Sequence, residues 1–217
     1  MTQTILVINP NSTHAVTVGI SDALETLRFP GGPSIECVTL TEGPPGVESQ
    51  RDADGVILPL ANLARKRDAD AYVIACYSDP GLYAVREAVP GKPVLGIAEC
   101  AMLTALTRGE RFGVISILAA SVPRHLRYVR MLGLGDRLAG DLPIGLGVLD
   151  LSEDEEVLHR MTETGKALRD ELGADVLILG CAGMARFRRP LEEALGLPVV
   201  EPSLAATTMA LGTLRAG

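Results

Sequence analysis

Hydrophobic and polar positions along the chain fall into short apolar runs separated by longer amphipathic stretches. The apolar runs are Ile5–Ile8, Ile35–Leu40, Ala71–Ala75, Val94–Ile97, Phe112–Ser116, Ile144–Leu149, Val176–Gly180 and Val199–Val200. They are brief, rich in β-branched residues and apolar on both faces, the pattern of parallel strands buried from above and below. Between them, helical patterning predicts segments over 13–27, 55–66, 80–88, 100–107, 123–131, 154–172 and 204–214. Strands alternating with helices predict an α/β fold with parallel sheets.

The pattern also repeats. At an offset of 105, Ala69-Asp70 falls on Ala174-Asp175, Cys76 on Cys181, Glu87 on Glu192, Gly91 on Gly196 and Pro93-Val94 on Pro198-Val199, all without a gap. Nearer the start, Val7-Ile8 matches Val114-Ile115 at an offset of 107. Two similar α/β lobes follow, with residues 1–97 plus 203–217 expected in the first and 98–202 in the second. The final helix crosses back to the first lobe.

Composition narrows the class. Asp and Glu outnumber Lys and Arg by 27 to 20, aromatics make up 3% of the 217 residues, and Trp is absent. A nucleic-acid binder needs basic stripes and stacking faces, so that class is disfavoured. No apolar run approaches the ~20 residues that span a bilayer. The N-terminal Met1-Thr2-Gln3-Thr4 lacks the basic region of a secretory signal. A cytoplasmic location with reduced thiols is the expectation, and the four cysteines then need another explanation than disulfides.

Two of them carry chemistry. Cys76 and Cys181 each follow an apolar strand and a small residue, and each precedes a turn into a helix. Ligands of open α/β sheets bind beyond the carboxyl ends of strands. Turn amides and the positive end of a following helix lower a thiol's pKa. Burial as a small hydrophobe explains one such cysteine, but a matched pair requires a second coincidence. Cys37, inside a strand, and Cys100, without a counterpart in the repeat, read as packing residues. The segment Asn9-Pro10-Asn11-Ser12-Thr13 ends the first strand. Ser12 is placed to cap the next helix, and Asn9, Asn11 or Ser12 is placed to donate to a substrate carbonyl. His14, His125 and His159 are scattered without metal-ligand spacing, there is no Cys-x-x-Cys pair, and no phosphate-binding glycine loop follows a strand. The acidic run from Ser152 through Glu153 to Glu156 reads as a helix start.

Four motifs in order, Asn9-Pro10-Asn11-Ser12-Thr13, Cys76-Tyr77-Ser78-Asp79-Pro80-Gly81-Leu82, Ser121-Val122-Pro123 and Leu179-Gly180-Cys181-Ala182-Gly183-Met184, resemble the aspartate/glutamate/hydantoin racemase superfamily. The closest likeness is to its hydantoin and allantoin racemase branch. The resemblance implies two flavodoxin-like lobes related by a pseudo-two-fold, with the site in the cleft between them. It implies an enzyme with neither metal nor pyridoxal phosphate, acting on a small molecule whose carbon-bound proton lies next to a carbonyl, in a homo-oligomer. Cys76 and Cys181 take the role of acid and base, and Ala182 and Gly183 supply backbone N–H groups. Asn11 is the foremost side-chain contact, with Asn9, Ser12, Tyr77, Ser78, Ser116 and Met184 as further ones. After Phe112-Gly113-Val114-Ile115 the chain reads Ser116-Ile117-Leu118, where the branch often carries a pair of hydroxyl residues, so the substituent pocket is expected to differ. Within the superfamily, decarboxylation of a disubstituted malonate and isomerisation of maleate compete with racemisation. A ligand-binding α/β module without turnover is the alternative outside it.

Overall fold

The computed structural model describes residues 3–152 and 154–216. Met1 and Thr2 of the expected N-terminal segment, Glu153 of the acidic run and Gly217 at the end of the expected first lobe lie outside the described residues. The first sheet contains β1 (Thr4–Asn9), β2 (Ser34–Thr39), β3 (Ala71–Ile74) and β4 (Val94–Gly96), in the order β2-β1-β3-β4. The second contains β5 (Phe112–Ser116), β6 (Leu138–Pro143), β7 (Val176–Leu179) and β8 (Val199–Val200), in the order β6-β5-β7-β8. Every pairing in both sheets is parallel. The helices are α1 (His14–Ala23), α2 (Gln50–Gly55), α3 (Ile57–Lys66), α4 (Leu82–Ala88), α5 (Ile97–Ala105), α6 (Val122–Met131), α7 (Asp154–Asp170), α8 (Arg188–Leu195) and α9 (Pro202–Ala216). None of them is long and apolar enough to cross a membrane.

The two sheets repeat each other in strand order and in the register of their central strands. Ile5 pairs with Ala71, and Phe112, 107 residues after Ile5, pairs with Val176, 105 residues after Ala71. The Tyr72 N–H donates to the Pro93 carbonyl, and Leu177 N–H to that of Pro198, both at 2.9 Å. Both faces of each sheet are covered, which explains why the strands are apolar throughout. Ile5, Val7, Ala71 and Val73 share a core with Phe112, Val114, Val176 and Ile178 around Ala101, Met102, Ala206 and Ala210 of α5 and α9. The alternate residues Leu6, Ile8, Tyr72 and Ile74 pack under Leu60, Ala64, Leu82 and Val85. Their counterparts Ile115, Leu177 and Leu179 pack under Val157, Met161, Leu168 and Leu191. Helix α9 packs on β1, β3 and β4, while α5 packs on β7 and β8 as well as on α9.

Differences from the sequence expectation have local causes. The sixth strand is Leu138–Pro143, not Ile144–Leu149. It lies at a sheet edge and is mostly half-buried, so it needs no continuous apolar run. The apolar residues that suggested a strand lie beyond it, where Gly145 at φ 75° turns the chain. Helices α5 and α9 begin earlier than the patterning predicts, at Ile97 and Pro202. Helices α2 and α8 arise in stretches not singled out by the patterning, and the Thr13 backbone rather than Ser12 stands at the N-cap of α1.

Candidate active site

In each sheet the chain leaves its central pair of strands in opposite directions, one towards each edge. The gap this creates at the carboxyl ends of those strands is where α/β sheets bind ligands. Four such exits, after β1, β3, β5 and β7, face one cleft. Asn11 borders it from the first, Cys76, Tyr77 and Ser78 from the second, Ile117 from the third, and Cys181, Ala182 and Gly183 from the fourth. The strand ends are tied down identically, with Ala75 N–H on the Ile8 carbonyl at 2.9 Å and Gly180 N–H on that of Ile115 at 2.8 Å. Val47 and Val148 close the mouth, where the Val148 N–H donates to Glu48 Oε1 at 2.8 Å. The enclosed space is about 30 Å³, room for a water or two. A cavity of about 210 Å³ adjoins it, sharing Val16, Val148 and Gly183 and lined further by Leu149 and Leu151.

Both thiols are free and partly buried. The turn amides do act on them: that of Ser78 lowers the Cys76 pKa and that of Gly183 lowers the Cys181 pKa. The expectation that these amides depress both pKa values is nevertheless corrected, because loss of solvent outweighs them. Burial raises Cys76, with the Asp79 charge adding to it, against opposition from the Ser78 amide, the Arg124 guanidinium and the Ser78 hydroxyl. Burial pushes Cys181 up to about 12, and the charges of Cys76, Glu48 and Glu201 add to the rise. Each thiolate thus disfavours the other, so the two protons of the pair leave in separate steps.

The remaining expected residues separate into two groups. Asn11, Tyr77, Ser78, Ala182 and Gly183 come together with the cysteines. Asn11 Oδ1 accepts from Asn9 Nδ2 at 3.0 Å and from Thr13 N–H at 2.9 Å, which fixes the side chain and leaves its Nδ2 without a hydrogen bond among the described residues. Asn9, Ser12, Ser116 and Met184 do not border the cleft. Asn9 is buried, and its amide is spent on Asn11, Thr17 and Thr13. Ser12 donates its N–H to the Pro44 carbonyl at 2.9 Å, and Met184 is buried in the second lobe's outer core. Ser116 is fully buried and bonds to His125 and Asp141.

Sequence reasoning missed the cleft face of α6. His125 borders the cleft, with its Nδ1 2.9 Å from Asp141 Oδ2 and its ring edge-on to Tyr77 at 5.1 Å between centroids. Ser116 and Asp141 both meet Nδ1, so this trio lacks the hydroxyl–imidazole–carboxylate relay of a hydrolase. Arg124 borders the cleft beside it, donating from Nε to Ser78 Oγ at 2.7 Å. The motif Ser121-Val122-Pro123 ran up to these two residues and was the one available signal. Cys37 and Cys100 pack against the central core, as ordinary thiols do. Among the described residues no group of three or more His, Cys, Asp or Glu is placed to hold a metal ion.

Comparison with known proteins agrees with this architecture. The family model for Asp/Glu/Hydantoin racemase matches residues 5–210. A hydantoin racemase of Paenarthrobacter aurescens is 37% identical over 219 aligned positions, covering 98% of this chain and 92% of that protein. Among solved structures, an allantoin racemase from Klebsiella pneumoniae superposes with a TM-score of 0.93 at 30% identity, covering 100% of this chain and 89% of that one. Allantoin racemase from Pseudomonas fluorescens gives 0.94 at 29% identity, covering 99% and 92%. With a family model matched across nearly its whole length and a paired-thiol cleft at its centre, the chain belongs to the Asp/Glu/hydantoin racemase family.

Proposed function

We propose that this protein racemises 5-substituted hydantoins or allantoin, without a cofactor, by moving a proton between Cys76 and Cys181. The observation that carries the reading is the placement of two thiols, at equivalent strand ends of two repeated sheets, on one cleft. One sulfur, as thiolate, takes the proton from the ring carbon next to the carbonyl. The carbanion's electron pair moves onto the carbonyl oxygen, and the other sulfur, as thiol, returns a proton to the opposite face. Cys76 is the readier thiolate, because Arg124 and Ser78 oppose its burial, whereas three negative neighbours add to that of Cys181. Asn11 Nδ2 is the side-chain donor for a ring carbonyl. The adjoining cavity, walled by Val16, Val148, Leu149 and Leu151, is the seat of the 5-substituent. The apolar side chains Val16, Val47, Ile117 and Val148 supply the low-dielectric surroundings in which proton transfer between sulfur and carbon is not drowned by water.

The test is polarimetry with mass analysis in D₂O on a panel of hydantoins, allantoin, aspartate and malonates. Either enantiomer of the preferred ring loses optical rotation while taking up one deuterium. Release of carbon dioxide from a malonate without racemisation of any ring would refute the reading.

A pH profile tests the thiol chemistry separately. The active form carries one proton on the pair, and burial raises both pKa values. Below the first apparent pKa the thiolate is the scarce species, so kcat/KM rises about tenfold per pH unit. The second ionisation lies too high to produce a falling limb in the working range. Measured from about pH 6 to pH 10, kcat/KM climbs beyond the ordinary thiol range near ~8.5; a plateau starting at neutral pH contradicts the burial argument.

A further inference from the structure

Arg124 is a buried cation without a counter-ion. It is 8% exposed, its Nη1 is buried with no hydrogen-bond partner, and among the described residues it forms no ion pair with a carboxylate. The attractive charges on it are the Cys76 sulfur, as thiolate, and then the more distant Asp52 and Asp54, and Arg127 repels it. A guanidinium taken out of water in this way costs several kcal/mol unless a negative partner compensates it, and no carboxylate among the described residues does so. Its side-chain hydrogen bond points to the reason. Arg124 Nε–H donates to Ser78 Oγ at 2.7 Å, and the Ser78 hydroxyl in turn favours the Cys76 thiolate. With an acceptor site of its oxygen occupied by arginine, Ser78 keeps its proton free to donate to the thiolate. Arg124 also borders the cleft in which the second thiol and Asn11 lie.

We infer that Arg124 is the counter-charge of the reaction: it stabilises the Cys76 thiolate through Ser78, and its unpartnered Nη1 donates to the substrate oxygen that becomes negative when the proton leaves. The inference rests on the racemase reading and adds to it the group that meets the developing charge. Such preorganised donors are worth far more in a water-excluded site than in solution. The charge balances at each stage. Before transfer the negative charge sits on sulfur, after transfer it sits on the carbonyl oxygen, and Arg124 faces both.

The experiment compares Arg124→Met, Arg124→Lys and wild type in three measurements. In racemisation, the Met variant loses about 100- to 1000-fold in kcat, as removal of an oxyanion donor does, with KM changed less than about threefold. In alkylation by iodoacetamide at neutral pH, read by peptide mass analysis, Cys76 of the Met variant reacts several-fold more slowly. The Lys variant recovers part of that rate, and Cys181 is little changed. In thermal melting, the Met variant is at least as stable as wild type, because an uncompensated buried charge has been removed. A Met variant that keeps wild-type kcat overturns the inference. So does one whose loss lies only in KM for rings with acidic substituents, since Arg124 would then recognise the substituent and not the reaction. A Met variant that melts well below wild type, with Cys76 alkylated at the wild-type rate, marks a structural arginine. If wild type racemises no ring in the panel, the racemase reading falls, and the alkylation arm still decides whether Arg124 sustains the Cys76 thiolate.

Discussion

Replacing either Cys76 or Cys181 by serine lowers racemisation by about 10³-fold or more, at the upper end of what a positioned acid or base contributes. Serine keeps the shape and the hydrogen-bonding capacity of cysteine, so packing at the strand ends survives. What it loses is acidity, and a hydroxyl in a cleft that already raises a thiol's pKa to about 12 does not ionise. The two variants are not equivalent. With Cys181 replaced, the Cys76 thiolate still reaches one face of the stereocentre, so one enantiomer exchanges its proton with D₂O and keeps its configuration. The Cys76 variant shows the opposite preference, more weakly, because Cys181 lacks the help of Arg124 and Ser78. Chiral chromatography with mass detection reads both quantities and assigns each thiol to its face. Wild-type racemisation by either variant would falsify the two-base scheme.

The paired thiols were legible in the sequence for a physical reason that extends to most of the fold. A parallel strand covered on both faces must be apolar throughout, and two copies of one lobe repeat that requirement at the same spacing. The offsets of 105 and 107 therefore reappear as sheet register at Ala71 and Val176 and at Ile5 and Phe112. The contacts around the thiols were less legible, because polarity at a strand end has two uses. Asn11 keeps a free amide at the cleft, whereas Asn9 and its register equivalent Ser116 turn inwards. Asn9 bonds Thr17 of α1 and Ser116 bonds His125 of α6, each fastening the helix that follows its own strand. Arg124 was invisible for a different reason. The offset of 107 pairs it with Thr17 and pairs His125 with Val18, so the repeat that exposed the cysteines gave no hint of either. Their placement depends on how α6 lies across the first lobe, where Arg124 meets Ser78 and Tyr128 meets Asp79. No local pattern encodes that.

The same contact explains why α5 begins before its apolar pattern does, and it yields the largest stability effect in the molecule. The Asp79 carboxylate accepts from the N–H groups of Ala98 and Glu99 and from the Tyr128 hydroxyl, each at 2.9 Å. It caps α5 from 19 residues away, even though burial pushes its pKa up to about 7. In the second lobe the equivalent amides, Ser203 and Leu204, are capped by Glu201. Glu201 stands where the first lobe has Gly96, and buried Met184 stands where it has Asp79. The lobes have exchanged which position supplies the carboxylate, and Gly96 is small because the Asp79 side chain occupies its space. A Cβ on Gly96 would lie 2.2 Å from Asp79 Cγ. Gly96→Ala therefore expels the carboxylate and strands two amides, costing about 3 kcal/mol or more, a fall of about 6–12 °C in melting temperature for a chain of this size. Asp79→Ala loses the same cap and vacates the space that Cβ needs. In that background Gly96→Ala costs less than about 1 kcal/mol, since the two changes share one cause. Thermal melting of the single and double variants completes the cycle, and equal costs of Gly96→Ala in both backgrounds would show that glycine is required there for its backbone and not for its neighbour.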